Sequence, residues 1–334
     1  MAFGREGRGP MRICAFQVRD DERDDFERMA ADRHVAVDLH EETPTPGNAV
    51  LAAGCEGVTC LGVEMDEELL AAWSEQGVRY VGSRIIGTDE IDLDAARRLG
   101  MHVCGGSYPP DGVAEFAVML MLMCLRQYKQ ALWRGQVNDF SLEGLEGREL
   151  GNLTVGVMGA GRIGRTVIRD LTGFGSRVIA YDPHATTDVG APLVDLDRLL
   201  VESDVITLHM PLTDETHHII GRSQIERMRD GVVLVNCARG GLMDTEALVW
   251  GIESGKVGAL GLDVVEGEEG IVHRDLRVEI LKNRDMAYLH QFRNVIMTQH
   301  MAFYTDVAVS HMVASGVGGI CDMAEKGTTP TMLV

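Results

Sequence analysis

Apolar residues along this chain fall into short blocks that alternate with stretches of helical spacing. Between Arg12 and Gly106, RICAFQV (12–18), GVTCLGV (57–63), VRYVGS (78–83) and MHVC (101–104) are dense in apolar and small residues. Strands buried on both faces have that pattern. DEELLAAWSEQ (66–76) and DLDAARRLG (92–100) place apolar residues at helical intervals instead, so strands and helices alternate and a parallel sheet is expected. GGSYPPDG (105–112) reads as a hinge because Gly and Pro punctuate it. A long helix is expected next, over about Val113–Gln136. A second alternating series starts at Leu153, with LTVGVMG, RVIAYD, DVITLHM, GVVLVNCA and GALGLDV as strands. An apolar, strand-like run from Val295 ends in Gln299-His300, and the stretch from Met301 to Lys326 is helical again. No repeat of 20–50 residues is present, and the pattern predicts two doubly wound α/β domains.

Composition narrows the functional classes. With 334 residues the chain is too long for one ordinary core and suits two domains. Its 45% hydrophobic and 25% charged residues are those of a soluble globular protein. The longest apolar run, Val113–Leu125, is too short to span a bilayer and carries Glu115. No membrane partner and no secretory signal are expected, and residues 1–10 read as a flexible Gly- and Arg-rich extension. A net charge of −20 repels phosphate backbones and argues against nucleic acid. The seven cysteines form no C-x-x-C pair, which fits buried free thiols in a reducing, cytoplasmic setting. No metal is expected.

Four motifs carry the chemistry. VGVMGAGRIGRTVIRDLTGFGSRVIAYD (155–182) holds Gly159, Gly161 and Gly164 in a G-x-G-x-x-G loop between a strand and a helix. Asp182 ends the next strand, 18 residues past Gly164. Glycines there let a backbone approach a pyrophosphate, the helix N-terminus supplies positive dipole, and the carboxylate accepts from ribose hydroxyls. A purely structural glycine turn would not need that acidic residue. Asp182 also repels a 2′-phosphate, and Pro183-His184 follow rather than an arginine, so NAD is favoured over NADP. In VNCARGGLMD (235–244), Arg239 follows a strand, where a guanidinium can hold a carboxylate bidentately; an ordinary surface arginine fits the local sequence equally well. GLDVVEGEEG (261–270) places Asp263, Glu266, Glu268 and Glu269 after another strand, a pattern that solvated loops also show. His300 follows a strand of its own. Singly each has a bland explanation, but Arg, Glu and His beyond strands of one nucleotide-binding sheet form the set that hydride transfer to a keto acid needs.

These stretches, with VRDDE (18–22), SRIIGTDEIDLDAARRLG (83–100), SYPPDGVAEFAV (107–118), LDVVEGE (262–268) and HMAFYT (300–305), resemble the D-isomer-specific 2-hydroxyacid dehydrogenases over about Arg12–Lys326. The chain is most similar to the D-lactate and D-2-hydroxyisocaproate group and to the keto-acid reductases of vancomycin resistance. The resemblance implies a Rossmann NAD-binding domain, residues 108–299, inserted into a flavodoxin-like substrate domain of residues 1–107 and 300–334. It implies Arg239, Glu268 and His300 as the catalytic set. With the three glycines, Arg162, Ile163, Asp182, Met210, Pro211, Thr216, Cys237, Ala238, Arg239 and Asp263 match its cofactor contacts. The amides of Ile86 and Gly87 match its substrate-carboxylate cradle, and Tyr108 and Phe303, with Arg239 and His300, its substrate pocket. A homodimer built around the helix of 113–136 is implied as well. The chain departs from the family's pattern in two places: Gln299 stands where proline usually precedes the histidine, and Pro109-Pro110-Asp111-Gly112 replaces Ser-Pro-Asn-Ala.

The expected reaction is reduction of a small 2-keto acid to the D-2-hydroxy acid with NADH. The alternatives are another branch of the same family, such as a phosphoglycerate, formate or phosphonate dehydrogenase, or an NAD-sensing corepressor. The expectation that no regulatory domain follows residue 334, and the presence of Glu268, lower the first. Retention of all three catalytic residues lowers the second.

Overall fold

The structure is a computed structural model that describes residues 9–334, so residues 1–8 of the expected extension lie outside the described residues. The chain forms two compact units, one made of the residues up to Pro109 with Tyr304–Val334 and the other of Pro110–Phe303. The second is therefore a continuous insert in the first. The boundaries fall two and four residues later than the expected 107/108 and 299/300. Side chains explain the later return: Tyr304 Oη donates to Asp21 Oδ2 at 2.8 Å and lies under the Arg19 guanidinium, whereas the amides of Met301 and Ala302 are bound by Asp263.

The first unit contains β1 (Arg12–Ala15), α1 (Arg23–Arg33), β2 (Ala36–Leu39), β3 (Gly57–Cys60), α2 (Glu67–Glu75), β4 (Tyr80–Ser83), α3 (Leu93–Arg98) and β5 (His102–Cys104). Its five strands are all parallel in the order β2-β1-β3-β4-β5, the flavodoxin-like arrangement. Two of these elements escape the apolar pattern for physical reasons. β2 is a half-buried edge strand and so lacks a continuous apolar run. α1 buries only Phe26 and shows no apolar stripe.

The second unit opens with α4 (Asp111–Leu125) and α5 (Tyr128–Gln136). One helix is expected over 113–136, but it breaks at Gln127, which takes a left-handed backbone with φ of 52°. The Leu125 carbonyl, which would continue the ladder, accepts instead from the Arg148 amide at 2.9 Å. Past the break, Lys129 Nζ donates to the carbonyls of His290, Phe292 and Val295 at 2.8–2.9 Å and redirects α5.

β6 (Thr154–Met158), α6 (Arg162–Gly173), β7 (Arg177–Tyr181), α7 (Leu196–Glu202), β8 (Val205–Leu208), α8 (Arg222–Arg227), β9 (Val232–Asn236), α9 (Thr245–Glu253), β10 (Val257–Leu262), α10 (Arg284–Gln291) and β11 (Val295–Met297) complete the unit. The six parallel strands run β11-β10-β9-β8-β6-β7. Leu193 forms a lone parallel bridge to Ala180 outside β7, which marks the place of the further edge strand found in the usual dinucleotide-binding order. Alternate residues of each strand face opposite layers. Val155, Val157, Val233 and Val235 pack with α4 and α6; Ile206, Leu208, Leu234, Leu260 and Leu262 pack with α7 to α10. Both sheet faces are thus covered and every strand ends at one common edge.

The chain closes in the first unit with α11 (Asp306–Lys326), which packs on β4 and α1. It starts at Asp306 rather than Met301, because Thr305 Oγ1 caps it by accepting from the Ala308 amide at 3.1 Å. Its length and apolarity would allow it to cross a membrane, but 61% of its apolar window is buried, as in a core helix.

The Lys129 clasp carries a stability prediction. Lys129→Ala leaves three carbonyls without their charged donor. With partial exposure discounted, urea unfolding should show a loss of about 1–3 kcal/mol, the scale of one or two charged hydrogen bonds. An unchanged midpoint would show that water replaces the ammonium at no cost.

Candidate active site

The glycine loop sits where the strand order of the second sheet reverses, between β6 and β8, the place where α/β sheets open a crevice. Gly159 has a φ of 88°, and a Cβ there would lie 2.7 Å from the His209 carbonyl and the Met210 nitrogen. A Cβ on Gly164 would lie 1.9 Å from the Gly159 oxygen, so α6 packs on β6 only without one. Gly161 differs: it caps α6, and a Cβ there would meet no protein atom within 4 Å. Two of the glycines have internal steric reasons, and the third leaves bare backbone at a helix N-terminus, where a pyrophosphate would approach. Arg162 and Ile163 form the first turn of α6.

Asp182 follows β7 directly, beside this loop. Its Oδ2 accepts from the Ala160 amide at 2.8 Å and its Oδ1 from the His184 amide at 2.9 Å. The carboxylate is oriented by the loop itself and keeps lone pairs for hydroxyl donors. After β8, Met210 is buried, and Thr216 Oγ1 closes the following turn by donating to the Pro211 carbonyl at 2.8 Å. Burial pushes the neighbouring His209 down to about 4, so it is neutral at physiological pH. The residues therefore fit a dinucleotide: a glycine cradle, a dipole and an oriented carboxylate.

Arg239 is presented by an unpredicted residue. Asn236, buried at the end of β9, accepts from the Ala238 amide at 3.0 Å and donates to the Arg239 carbonyl at 2.8 Å. This clamp fixes the backbone that carries Cys237, Ala238 and Arg239, the first two of which pack against the layers on the two faces of the sheet. Burial followed by the charge of Asp263 raises the Cys237 thiol well above its usual value, so it is no nucleophile. Gly240 then packs against the next loop, where a Cβ would meet the Val265 carbonyl carbon at 2.3 Å.

Beyond β10, Asp263 is buried and its carboxylate is held by the chain itself. It accepts from Thr298 Oγ1 at 2.5 Å, the Met301 amide at 2.9 Å and the Ala302 amide at 2.8 Å. Its carbonyl accepts from the His300 amide at 3.0 Å. That holds His300 in a left-handed backbone with φ of 53°, a conformation that disfavours L side chains. The imidazole Nδ1–H donates to Glu268 Oε1 at 2.7 Å, and Glu268 Oε2 is braced by the Val265 amide at 2.8 Å. Glu268 and His300 side chains are only 12% and 33% exposed. Burial alone would lower the His300 pKa, but the hydrogen bond and charge of Glu268, with the charge of Asp263, outweigh it and the repulsion of Arg239. The net shift is upward. His273, another residue that spacing missed, bonds the His300 carbonyl at 3.1 Å, and Phe303 stands edge-on to both rings.

In the first unit, Ile86 and Gly87 lie in the loop after β4. Among the described residues their amides donate to no protein acceptor. The preceding Arg84 is fully buried, with Nε donating to Glu22 Oε1 at 3.2 Å and Nη2 to the Phe16 carbonyl at 2.9 Å. Tyr108 lies just beyond the β5 loop, at the last residues of this segment of the unit.

A glycine cradle at a helix N-terminus, a carboxylate-braced imidazole and an arginine suit an oxidoreductase of hydroxy or keto acids. The model of the D-isomer specific 2-hydroxyacid dehydrogenase NAD binding domain matches residues 118–302. An aromatic 2-oxoacid reductase of Clostridium sporogenes is 41% identical over 323 residues, covering 95% of this chain and 98% of that protein. A solved D-2-hydroxyisocaproate dehydrogenase superposes with a TM-score of 0.88 at 32% identity, covering 97% of this chain and 99% of that one. The NAD-complexed D-isomer specific 2-hydroxyacid dehydrogenase of Lactobacillus delbrueckii ssp. bulgaricus does so with a TM-score of 0.83 at 28% identity, covering 97% and 100%. The chain belongs to the D-isomer-specific 2-hydroxyacid dehydrogenase family. It is an NAD-dependent oxidoreductase that interconverts a 2-keto acid and a D-2-hydroxy acid.

The raised His300 pKa gives a signed prediction. Glu268→Gln keeps an acceptor but removes the charge, so the imidazole should lose its proton at lower pH than in the wild type. A histidine-ring NMR titration reads this directly, and an unmoved midpoint would show that Glu268 is not the support.

Proposed function

We propose that Arg239, Glu268 and His300 carry the reaction, with His300 as the proton donor in keto-acid reduction. The observation that carries this reading is the 2.7 Å bond from His300 Nδ1 to Glu268, in a site where the imidazole pKa is raised. With Nδ1 tied to the carboxylate, Nε2 is the atom that holds the transferable proton and delivers it to the C2 oxygen. Arg239 binds the substrate carboxylate and stabilises the charge growing on that oxygen. NADH, when bound, supplies the hydride. In the reverse direction neutral His300 takes the hydroxyl proton and Glu268 stabilises the imidazolium that forms.

The other assignments follow the same support. Gly159, Gly161, Arg162, Ile163 and Gly164 are read as the pyrophosphate cradle and Asp182 as the ribose acceptor. Met210, Pro211, Thr216, Cys237, Ala238, Arg239 and Asp263 complete the cofactor contacts, and Asp263 also anchors the loop that carries His300. The unpaired amides of Ile86 and Gly87 suit a carboxylate oxygen, and Tyr108 and Phe303 are read as substrate-pocket rings. Seven cysteines with no disulfide among them suit a reducing, cytoplasmic setting.

The test is NADH oxidation with pyruvate, phenylpyruvate and 2-ketoisocaproate, which also ranks the substrate side chain; turnover of none of them would overturn the reading. Arg239→Lys keeps the charge and loses the planar fork, so kcat/KM should fall by about 2–4 kcal/mol in transition-state terms. Near-wild-type kinetics would show that another cation binds the acid.

A homodimer through α5 is part of this proposal. Trp133, Phe140 and Leu142 are 62%, 80% and 83% exposed, with Leu132 and Val137 beside them, an apolar stretch that marks an interface on a protein surface. Trp133→Glu should weaken self-association by about 2 kcal/mol or more if this ring is central to the contact. Analytical ultracentrifugation reads the shift toward monomer, and an unchanged distribution would place the interface elsewhere.

A further inference from the structure

Outside the residues assigned to the reaction, one other cluster of ligand-type side chains stands in the second unit. His217 and His218 lie in the turn after β8, and Glu266 lies in the loop after β10. His218 Nε2 is 2.7 Å from Glu266 Oε1, and His217 Nε2 is 3.6 Å from the same oxygen. The two imidazoles stack with centroids 3.8 Å apart and planes inclined by 25°. All three donor atoms lie within 4.8 Å of one another.

An ordinary hydrogen bond explains only part of this. A His218–Glu266 pair satisfies one ring; it gives no reason for a second imidazole stacked on the first with its Nε2 turned to the same carboxylate oxygen. A cation does. With bonds of roughly 2.0–2.1 Å, neighbouring ligand atoms of a tetrahedral zinc site lie about 3.3 Å apart. The observed 2.7 and 3.6 Å bracket that separation, so an ion replaces the hydrogen bond after a small opening of the cluster.

The backbone holds the donors in place. The His217 amide donates to the Thr213 carbonyl at 2.8 Å and the His218 amide to the Gly241 carbonyl at 2.9 Å. Asn283 Nδ2 donates to the Glu266 carbonyl at 2.9 Å. The segment at Gly240 and Gly241 touches both sides, since a Cβ on Gly240 would meet the Glu266 nitrogen at 2.4 Å and one on Gly241 would meet His217 Cδ2 at 3.6 Å. The side chains are 52%, 36% and 36% exposed, which leaves a solvent path and room for a water ligand.

We propose that His217, His218 and Glu266 form a site for a divalent transition-metal cation of the zinc class, with a water-filled fourth position. Two imidazoles and a carboxylate suit zinc, cobalt or nickel, whereas magnesium and calcium prefer all-oxygen sets. The net charge of −20 draws cations toward the surface. The ion ties the turn after β8 to the loop after β10, two residues before Glu268, and thereby stiffens the segment that carries the His300 support.

The experiment is a cobalt titration of the full, untagged, chelator-stripped chain, read by visible absorption and followed by zinc competition. One cobalt per chain is expected, with d–d bands and no thiolate charge-transfer band in the near ultraviolet. His217→Ala, His218→Ala and Glu266→Gln should each weaken binding by more than about tenfold, the least that loss of even a supporting group costs a metal site. His311→Ala, at an exposed histidine of the first unit, should leave binding unchanged. Zinc should raise the melting temperature of the wild type and not of the His218→Ala protein, whose metal-free melting and circular dichroism establish that it folds. Cobalt binding unaltered in the three ligand variants, a thiolate band, or no binding by the wild type would each overturn the proposal. None of these readouts requires keto-acid turnover, so a failure here and a failure of the catalytic reading are distinguishable.

Discussion

The buried carboxylate of Asp263 organises the site. It accepts three hydrogen bonds from Thr298, Met301 and Ala302, none longer than 2.9 Å, across the gap between the end of β10 and the segment after β11. A buried charge is tolerated only where its lone pairs are taken, and here the chain itself supplies the donors. The arrangement forces the backbone at His300 into the left-handed region, and that bend aims the imidazole at Glu268. Without the anchor, a short strand would end in a free loop and the histidine would sample many directions. Asn236 does the same for Arg239 one strand away.

The local field runs counter to that of the whole chain. A net charge of −20 would repel an anionic acid at long range, so attraction has to come from within a few ångströms. In the proposed site Arg239 and His300 would provide it, and their mutual repulsion is offset by Glu268 and Asp263 on the imidazole. Burial works against the imidazolium; the directed hydrogen bond of Glu268 wins because it is short and braced from behind by the Val265 amide.

Legibility in the sequence followed the source of each signal. Strands buried on both faces announced themselves as apolar runs, and the glycine loop with Asp182 could be read because the spacing is local. β2 and α1 stayed hidden because an edge strand and a nearly all-polar helix have no apolar signature. The break at Gln127 depends on carbonyls captured by Arg148 and Lys129, contacts that no window around the helix contains. Arg239, Glu268 and His300 stood out through family likeness, but their supports did not. Asn236, Thr298 and His273 are unremarkable in their own neighbourhoods and gain their roles only from parallel strands that end together. The pairing of His217 and His218 with Glu266 spans nearly fifty residues and has no sequence-level spacing at all.

The insertion of one unit into the other has a consequence for biosynthesis. β1 to β5 leave the ribosome first, but α11, which covers β4 and packs on α1, is encoded only after the whole of residues 110–303. The first sheet therefore spends the synthesis of the insert with an apolar face uncovered, a state prone to aggregation. The insert is continuous and can close its own six-stranded sheet from its own residues as soon as it emerges. Its completion then delivers Tyr304 and α11 to the waiting sheet. Order of maturation is thereby written into the connectivity: the unit that begins second finishes first.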